Sequence, residues 1–257
     1  FLWLLLIGGT AGVGWVFWSI NEGRIGYMPD MEQLSNPVDK FASQIMTSDG
    51  KLMGTYSYGS NNRIFTEYDS IAPAMIQALI ATEDERFHEH AGIDLKALFR
   101  AIVKRGLLGQ KSAGGGSTIT QQLAKQLYSE RASNTMERLF QKPIEWMIAL
   151  KLERFYTKEE IITMYLNYFD FLHNAVGVKT ASRTYFSKEP QDLSLEECAT
   201  LVGMCKNPSY YNPVRMPDRT RDRRNVVLGQ MVRSGYLTEN EADSVMQLPL
   251  VLNFRRA

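Results

Sequence analysis

Three stretches of the chain bring acidic, basic and hydroxyl side chains together at helical spacing. The first is Glu83-Asp84-Glu85-Arg86-Phe87-His88-Glu89-His90, followed by Ala91-Gly92. Read as one helix, Glu83, Phe87 and His90 fall at i, i+4 and i+7 on one face, and Gly92 is placed to stop it. A carboxylate and an imidazole beside an aromatic ring suit proton transfer at a sugar hydroxyl; the competing reading is a solvated, charged helix end. The second stretch is Gly114-Gly115-Gly116-Ser117-Thr118-Ile119-Thr120-Gln121-Gln122-Leu123-Ala124-Lys125. Its glycines free the backbone, Ser117 or Thr118 can cap the following helix, and Thr118, Gln122 and Lys125 recur at i, i+4 and i+7. Hydroxyl, amide and ammonium at a helix start suit a pyrophosphate, although the P-loop spacing is absent. A capped surface helix is the alternative. The third is Gln141-Lys142-Pro143-Ile144-Glu145. Here Lys142 and Glu145 share a face, as a second carboxylate with its cation or as an ordinary ion pair. No metal site is expected, because neither His-Glu-x-x-His nor a Cys/His cluster occurs.

These groups need elements to hold them. Asp49-Gly50 between the alternating runs of Ser43–Tyr58 predicts a small β-hairpin. Apolar residues at spacings of three and four predict helices over Pro73–His90, Leu95–Leu108, Ser117–Ser129, Arg138–Phe155, Lys158–Tyr168, Ala175–Tyr185, Leu195–Cys205 and Thr220–Ser234. The fold class expected is therefore mainly α with one small hairpin. The segment Leu95–Leu108 alternates apolar residues with Lys96, Arg100, Lys104 and Arg105. Such a face suits either anionic lipid or a protein core.

Residues Phe1–Ile20 carry no charge, and about twenty apolar residues span a bilayer as a helix. Trp15 and Trp18 suit an interface. A transmembrane anchor is expected at 1–20, with a signal peptide or a core helix as alternatives. A juxtamembrane linker is expected at 21–42. The chain has 29 basic and 28 acidic residues, a balance without the basic excess of a nucleic-acid binder. Cys198 and Cys205 are seven helical residues apart, roughly 10 Å of rise. That is too far for a disulfide, so both should be free and buried.

In order along the chain, these segments resemble glycosyltransferase family 51, the peptidoglycan glycosyltransferase domain of class A penicillin-binding proteins. Ala81-Thr82-Glu83-Asp84-x-x-Phe87-x-x-His90-x-Gly92-x-Asp94 is similar to the family's first motif, and Gly115-Gly116-Ser117-Thr118-Ile119-Thr120-Gln121-Gln122-Leu123-x-Lys125 to its second. Lys142-x-x-Glu145 through Leu152-Glu153 resembles the third. Lys158–Asn167 with Gly177-Val178 and Thr184-Tyr185-Phe186 resembles the fourth, and Leu193-Ser194-Leu195-x-Glu197 with Pro208-Ser209-x-Tyr211-Asn212-Pro213 the fifth. Two departures stand out. Gln141 occupies the place of the family's Arg, with Arg138 a turn earlier as a substitute cation. Leu172, His173 and Asn174 stand where glycines are usual.

The resemblance implies a lysozyme-like domain over 43–250, with 251–257 opening a C-terminal linker. It implies that Glu83 takes the proton from the 4-hydroxyl of the acceptor lipid II. That oxygen then attacks C1 of the MurNAc ending the growing strand, with inversion and loss of undecaprenyl pyrophosphate. Thr118, Gln122, Lys125 and Lys142 would hold phosphate oxygens, with Ser117 and Gln121 also binding substrate. Glu145 would assist near the leaving group, while Asp84, Phe87 and His90 shape the acceptor site. No cofactor is required, although a divalent cation (Mg or Mn) is compatible. Expected partners are lipid II, the glycan strand, membrane lipid, a phosphoglycolipid inhibitor of the moenomycin type and cell wall synthesis proteins. The expected location is the bacterial cytoplasmic membrane, single-pass, with the catalytic domain outside. The alternatives are a glycan hydrolase, which needs no phosphate-binding helix start, and a scaffold, which needs neither Glu83 nor Lys125. Ser48-Asp49-Gly50-Lys51 matches Ser-x-x-Lys, but it sits in the predicted turn without a later Lys-Thr-Gly. No transpeptidase is expected within these residues.

Overall fold

The computed structural model describes residues 2–26, 28–30, 34, 43–48, 52–56, 63–103, 116–128 and 135–255. Ten α-helices occur among them: α1 Leu2–Asn21, α2 Pro73–Glu83, α3 Leu95–Ile102, α4 Ile119–Tyr128, α5 Thr135–Phe155, α6 Lys158–Tyr168, α7 Val178–Phe186, α8 Leu195–Cys205, α9 Pro217–Arg233 and α10 Glu239–Met246. Two strands, β1 Ser43–Met46 and β2 Leu52–Tyr56, pair antiparallel, with an irregularity between Ile45 and Met46. The Asp49-Gly50 turn expected between them lies outside the described residues, as does most of the Gly-rich loop 109–116. The mainly α expectation matches this architecture. The chain forms two compact units, one of Phe1–Pro37 with His90–Thr157 and one of Val38–Glu89 with Lys158–Ala257.

In the second unit, α2, α8 and α9 pack on one another. Met75, Ala78 and Leu79 of α2, Leu201 and Val202 of α8, and Val227, Leu228 and Met231 of α9 are all fully buried. Removing such apolar surface from water, at about 25 cal/mol per Å², is what holds the helices together. Every residue of α6 from Ile161 to Tyr168 is buried, as expected of a helix surrounded by protein. Pro73 and Pro217 open α2 and α9, positions where a missing N–H has no helical partner to lose. Cys198 and Cys205 are free and buried.

In the first unit, α4 packs on α5, and α1 also meets α5. The helix α1 coincides with the segment expected as an anchor. Even so, among the described residues no helix is long and apolar enough to cross a membrane. Gly8, Gly9, Gly12 and Gly14 with Thr10 dilute the apolar run, and at the helix's end Ser19 and Ile20 are buried within protein.

A correction concerns the first motif. The helix predicted over Pro73–His90 stops at Glu83. Asp84 leaves helical geometry at φ −158°, ψ 72°, and Phe87–Glu89 form a separate 3-10 turn. The Phe87 ring is fully buried, with the Lys158 ammonium 4.3 Å from its centroid. Burying that ring favours the turn over another helical turn ending in water, so tertiary packing overrides the local periodicity. Glu83, Phe87 and His90 are therefore not successive residues of one helical face.

Candidate active site

In the second unit, Glu83 is the last residue of α2 and its side chain is 14% exposed. Arg223 of α9 brings Nη2 to 4.0 Å from Glu83 Oε1. The Cys205 thiol and the Tyr165 hydroxyl lie near the same carboxylate, and burial pushes both of their pKa values up from the ordinary range. Both are therefore neutral at physiological pH, so Cys205 offers no thiolate nucleophile. Asp84 is buried, its carbonyl accepting from the Phe87 N–H at 2.9 Å. Phe87 is core, so its ring acts on a ligand only through packing.

Asn167 ends the Tyr-Leu-Asn run of α6 as a clamp. Its Oδ1 accepts from Thr66 N–H at 2.8 Å, while Nδ2 donates to the carbonyls of Thr66 and Thr163, each at 2.8 Å. The amide thus completes the backbone hydrogen bonding of a buried segment. In the departing loop, Leu172, His173 and Asn174 all have positive φ, 66°, 52° and 64°. In the same loop the His173 ring packs edge-on against Tyr185 and Phe254.

In the first unit, the second and third motifs meet. Lys142 Nζ donates to Glu145 Oε2 at 2.6 Å and to Ser117 Oγ at 3.1 Å. Glu145 is 2% exposed and Lys142 53%. A buried carboxylate thus carries a cation whose outer side faces water, and one ammonium links α5 to the start of α4. On α4, Gln122 is half-buried and Lys125 exposed, so the Lys125 ammonium is accessible to an anionic ligand. Pro143 lies inside α5 without ending it. Gln141 is half-buried, whereas the side chain of Arg138 lies outside the described residues.

Thr118 and Gln121, both expected to bind substrate, lie against the end of the first motif. Both are 2% exposed. Thr118 Oγ1 donates to the Gly92 carbonyl at 2.7 Å and accepts from Gln121 N–H at 3.1 Å, and Gln121 Nε2 donates to the same carbonyl at 3.1 Å. The second motif therefore grips the end of the first. Gly92 sits at φ 85°, and a Cβ there would come within 2.9 Å of the Ala149 carbonyl oxygen. Gly92→Ala combines a left-handed backbone with a clash against backbone, so a loss of at least about 2 kcal/mol is expected. Urea unfolding of the variant measures it; an unchanged midpoint would mean the segment rearranges freely. His90, shortly before Gly92 in the same unit, is half-buried. Among the described residues no group of three or more His, Cys, Asp or Glu is placed to hold a metal ion.

Residues 49–232 match the family model described as transglycosylase. Penicillin-binding protein 1A of Escherichia coli is 37% identical over 227 residues, 88% of this chain and 26% of that protein. Penicillin-binding protein 1A of Aquifex aeolicus is 38% identical over 225 residues, 88% of this chain and 30% of that one. Penicillin-binding protein 1F of Bacillus subtilis is 40% identical over 198 residues, covering 77% and 27%. The chain thus spans less than a third of the length of these relatives. Since the family pattern runs through both units, the chain belongs to the transglycosylase family, glycosyltransferase family 51, and is related to the glycosyltransferase domains of class A penicillin-binding proteins.

Proposed function

We propose that the chain polymerises lipid II into β-1,4-linked glycan, with inversion at MurNAc C1 and release of undecaprenyl pyrophosphate. The observation that carries this reading is the Ser117–Lys142–Glu145 cluster, a cation pinned beside a helix start and open to solvent on one side. A glycan hydrolase has no anionic leaving group for such a cation to receive. Glu83 acts as the general base on the acceptor 4-hydroxyl. Lys142 and Lys125 take up the charge that develops on the departing pyrophosphate, a role for which a fixed ammonium suits phosphate oxygens. Glu145 holds Lys142 in place.

The substrate is lipid-linked, so the reaction belongs at the outer face of the bacterial cytoplasmic membrane. The helix α3 supports that placement, with Leu95 71% and Phe99 70% exposed beside exposed Lys96 and Arg100. An apolar edge flanked by cations suits anionic headgroups. Incubation with lipid II in detergent, followed by gel separation of the products, is the test. A ladder of glycan lengths sensitive to a moenomycin-type phosphoglycolipid is expected, and shortening of preformed glycan without polymer would overturn the reading in favour of a hydrolase.

A further inference from the structure

Two adjacent arginines of α9 are buried, and they use their donors differently. Thr220, Arg223, Arg224, Val227, Leu228 and Met231 form the inward face of that helix. Arg224 has an evident structural role, since its Nη2 donates to the carbonyls of Met246 at 3.0 Å and Leu248 at 2.8 Å, tying the end of α10 to α9. The Arg223 residue is 8% exposed, and its buried Nε has no hydrogen-bond partner among the described residues. Its guanidinium instead lies 4.0 Å from the Glu83 carboxylate and 5.8 Å from the centre of the Tyr211 ring. Burying a cation is costly unless its charge is answered. At 4.0 Å, too long for a hydrogen bond, the answer is attraction through space.

The neighbouring helix is shaped to admit that side chain. A Cβ on Gly203 of α8 would approach Arg223 Cγ to 3.1 Å, so glycine there leaves room for the arginine stem. Ionisable groups near Glu83 on the described residues include Asp84 beside it, the Cys205 thiol of α8 and the Tyr165 hydroxyl of α6. Thiol and phenol are neutral, and Asp84 is of the same sign as Glu83. We propose that Arg223 is a positioning residue for Glu83, its opposite charge holding the carboxylate in one orientation, with Gly203 and Tyr211 fixing where the guanidinium sits.

This inference rests on the reading of Glu83 as the base, and the experiment separates the two. Rates of lipid II polymerisation are measured against pH for the chain and for Glu83→Gln, Arg223→Gln and Arg223→Lys. Removing the cation makes the carboxylate harder to ionise. In Arg223→Gln the acid limb should therefore move up by about one pH unit or more, a loss of about tenfold at a fixed pH below the limb. KM should stay within about threefold, and Arg223→Lys should return most of the limb. A limb that does not move in Arg223→Gln, or that Arg223→Lys fails to restore, overturns the proposal and leaves Arg223 as packing. Should Arg223→Gln not fold, Arg223→Met keeps an apolar stem beside Gly203 and lacks the charge, and its acid limb decides the matter in the same way. Full activity in Glu83→Gln would overturn the base assignment, and this inference with it. An inactive Glu83→Gln with an unmoved limb in the arginine variants overturns this inference alone.

Discussion

Glu83→Gln should lower lipid II polymerisation by at least ~10²-fold, the scale of losing a general base. The substitution keeps the shape of the side chain at the end of α2 and removes only its proton affinity and charge. Its main structural consequence falls on Arg223, which loses the opposite charge 4.0 Å away. Both side chains are largely buried, at 9% and 14% exposure, so screening by water is limited. A stability loss of about 1 kcal/mol is expected, below the roughly 3–5 kcal/mol typical of a directly hydrogen-bonded buried pair. A thermal melt and a polymerisation assay on one preparation separate the effects. Near-normal polymer from folded protein would remove Glu83 from the chemistry.

The way α2 ends shows which parts of this site periodicity can reveal. The helices Lys158–Tyr168 and Leu195–Cys205 end where their patterns of apolar residues end. At Glu83 the pattern continues through Phe87 and His90, yet the chain turns. Spacing records which residues prefer to be inside, and Phe87 is inside; it does not record the backbone path that takes it there. The same limit hides Arg223. A charged residue is ordinarily assigned to solvent, but the inward spacing Thr220, Arg223, Arg224, Val227, Leu228, Met231 already contains both arginines. Extending that core stripe back through the charges places them correctly.

Thr118 and Gln121 illustrate the converse. Their types and position beside the Gly-rich loop suit substrate binding, with phosphate the expected group for Thr118, and family resemblance adds weight to that expectation. In the structure both also donate to the Gly92 carbonyl. Hydroxyl and amide groups serve backbone as readily as ligand, and the sequence holds no mark of which they meet. Lys142 and Glu145 are easier to read, because a three-residue spacing on a helix leaves opposite charges adjacent whatever packs around them. The third member, Ser117 Oγ, comes from 25 residues earlier in the chain, and only the packing of α4 on α5 brings it there.

Lys142→Met should therefore be the most damaging change in the first unit. If Lys142 receives the leaving pyrophosphate, removing its charge costs ~10²–10³-fold in turnover. A phosphoglycolipid that occupies the same place should bind ~10-fold to 100-fold more weakly, the equivalent of one charge-assisted hydrogen bond. A purely structural Lys142 would behave differently. The Lys142–Glu145 bond at 2.6 Å answers a carboxylate that is almost wholly buried, and its loss alone would lower stability. Because the lysine is 53% exposed, that loss should be only about 1 kcal/mol after solvent screening. Isothermal calorimetry with moenomycin, alongside urea unfolding, distinguishes the two cases. Weakened binding in a folded variant, partly restored in Lys142→Arg, identifies the ammonium as a ligand for phosphate. Unchanged affinity with reduced stability would confine Lys142 to neutralising Glu145, and phosphate binding would pass to Lys125.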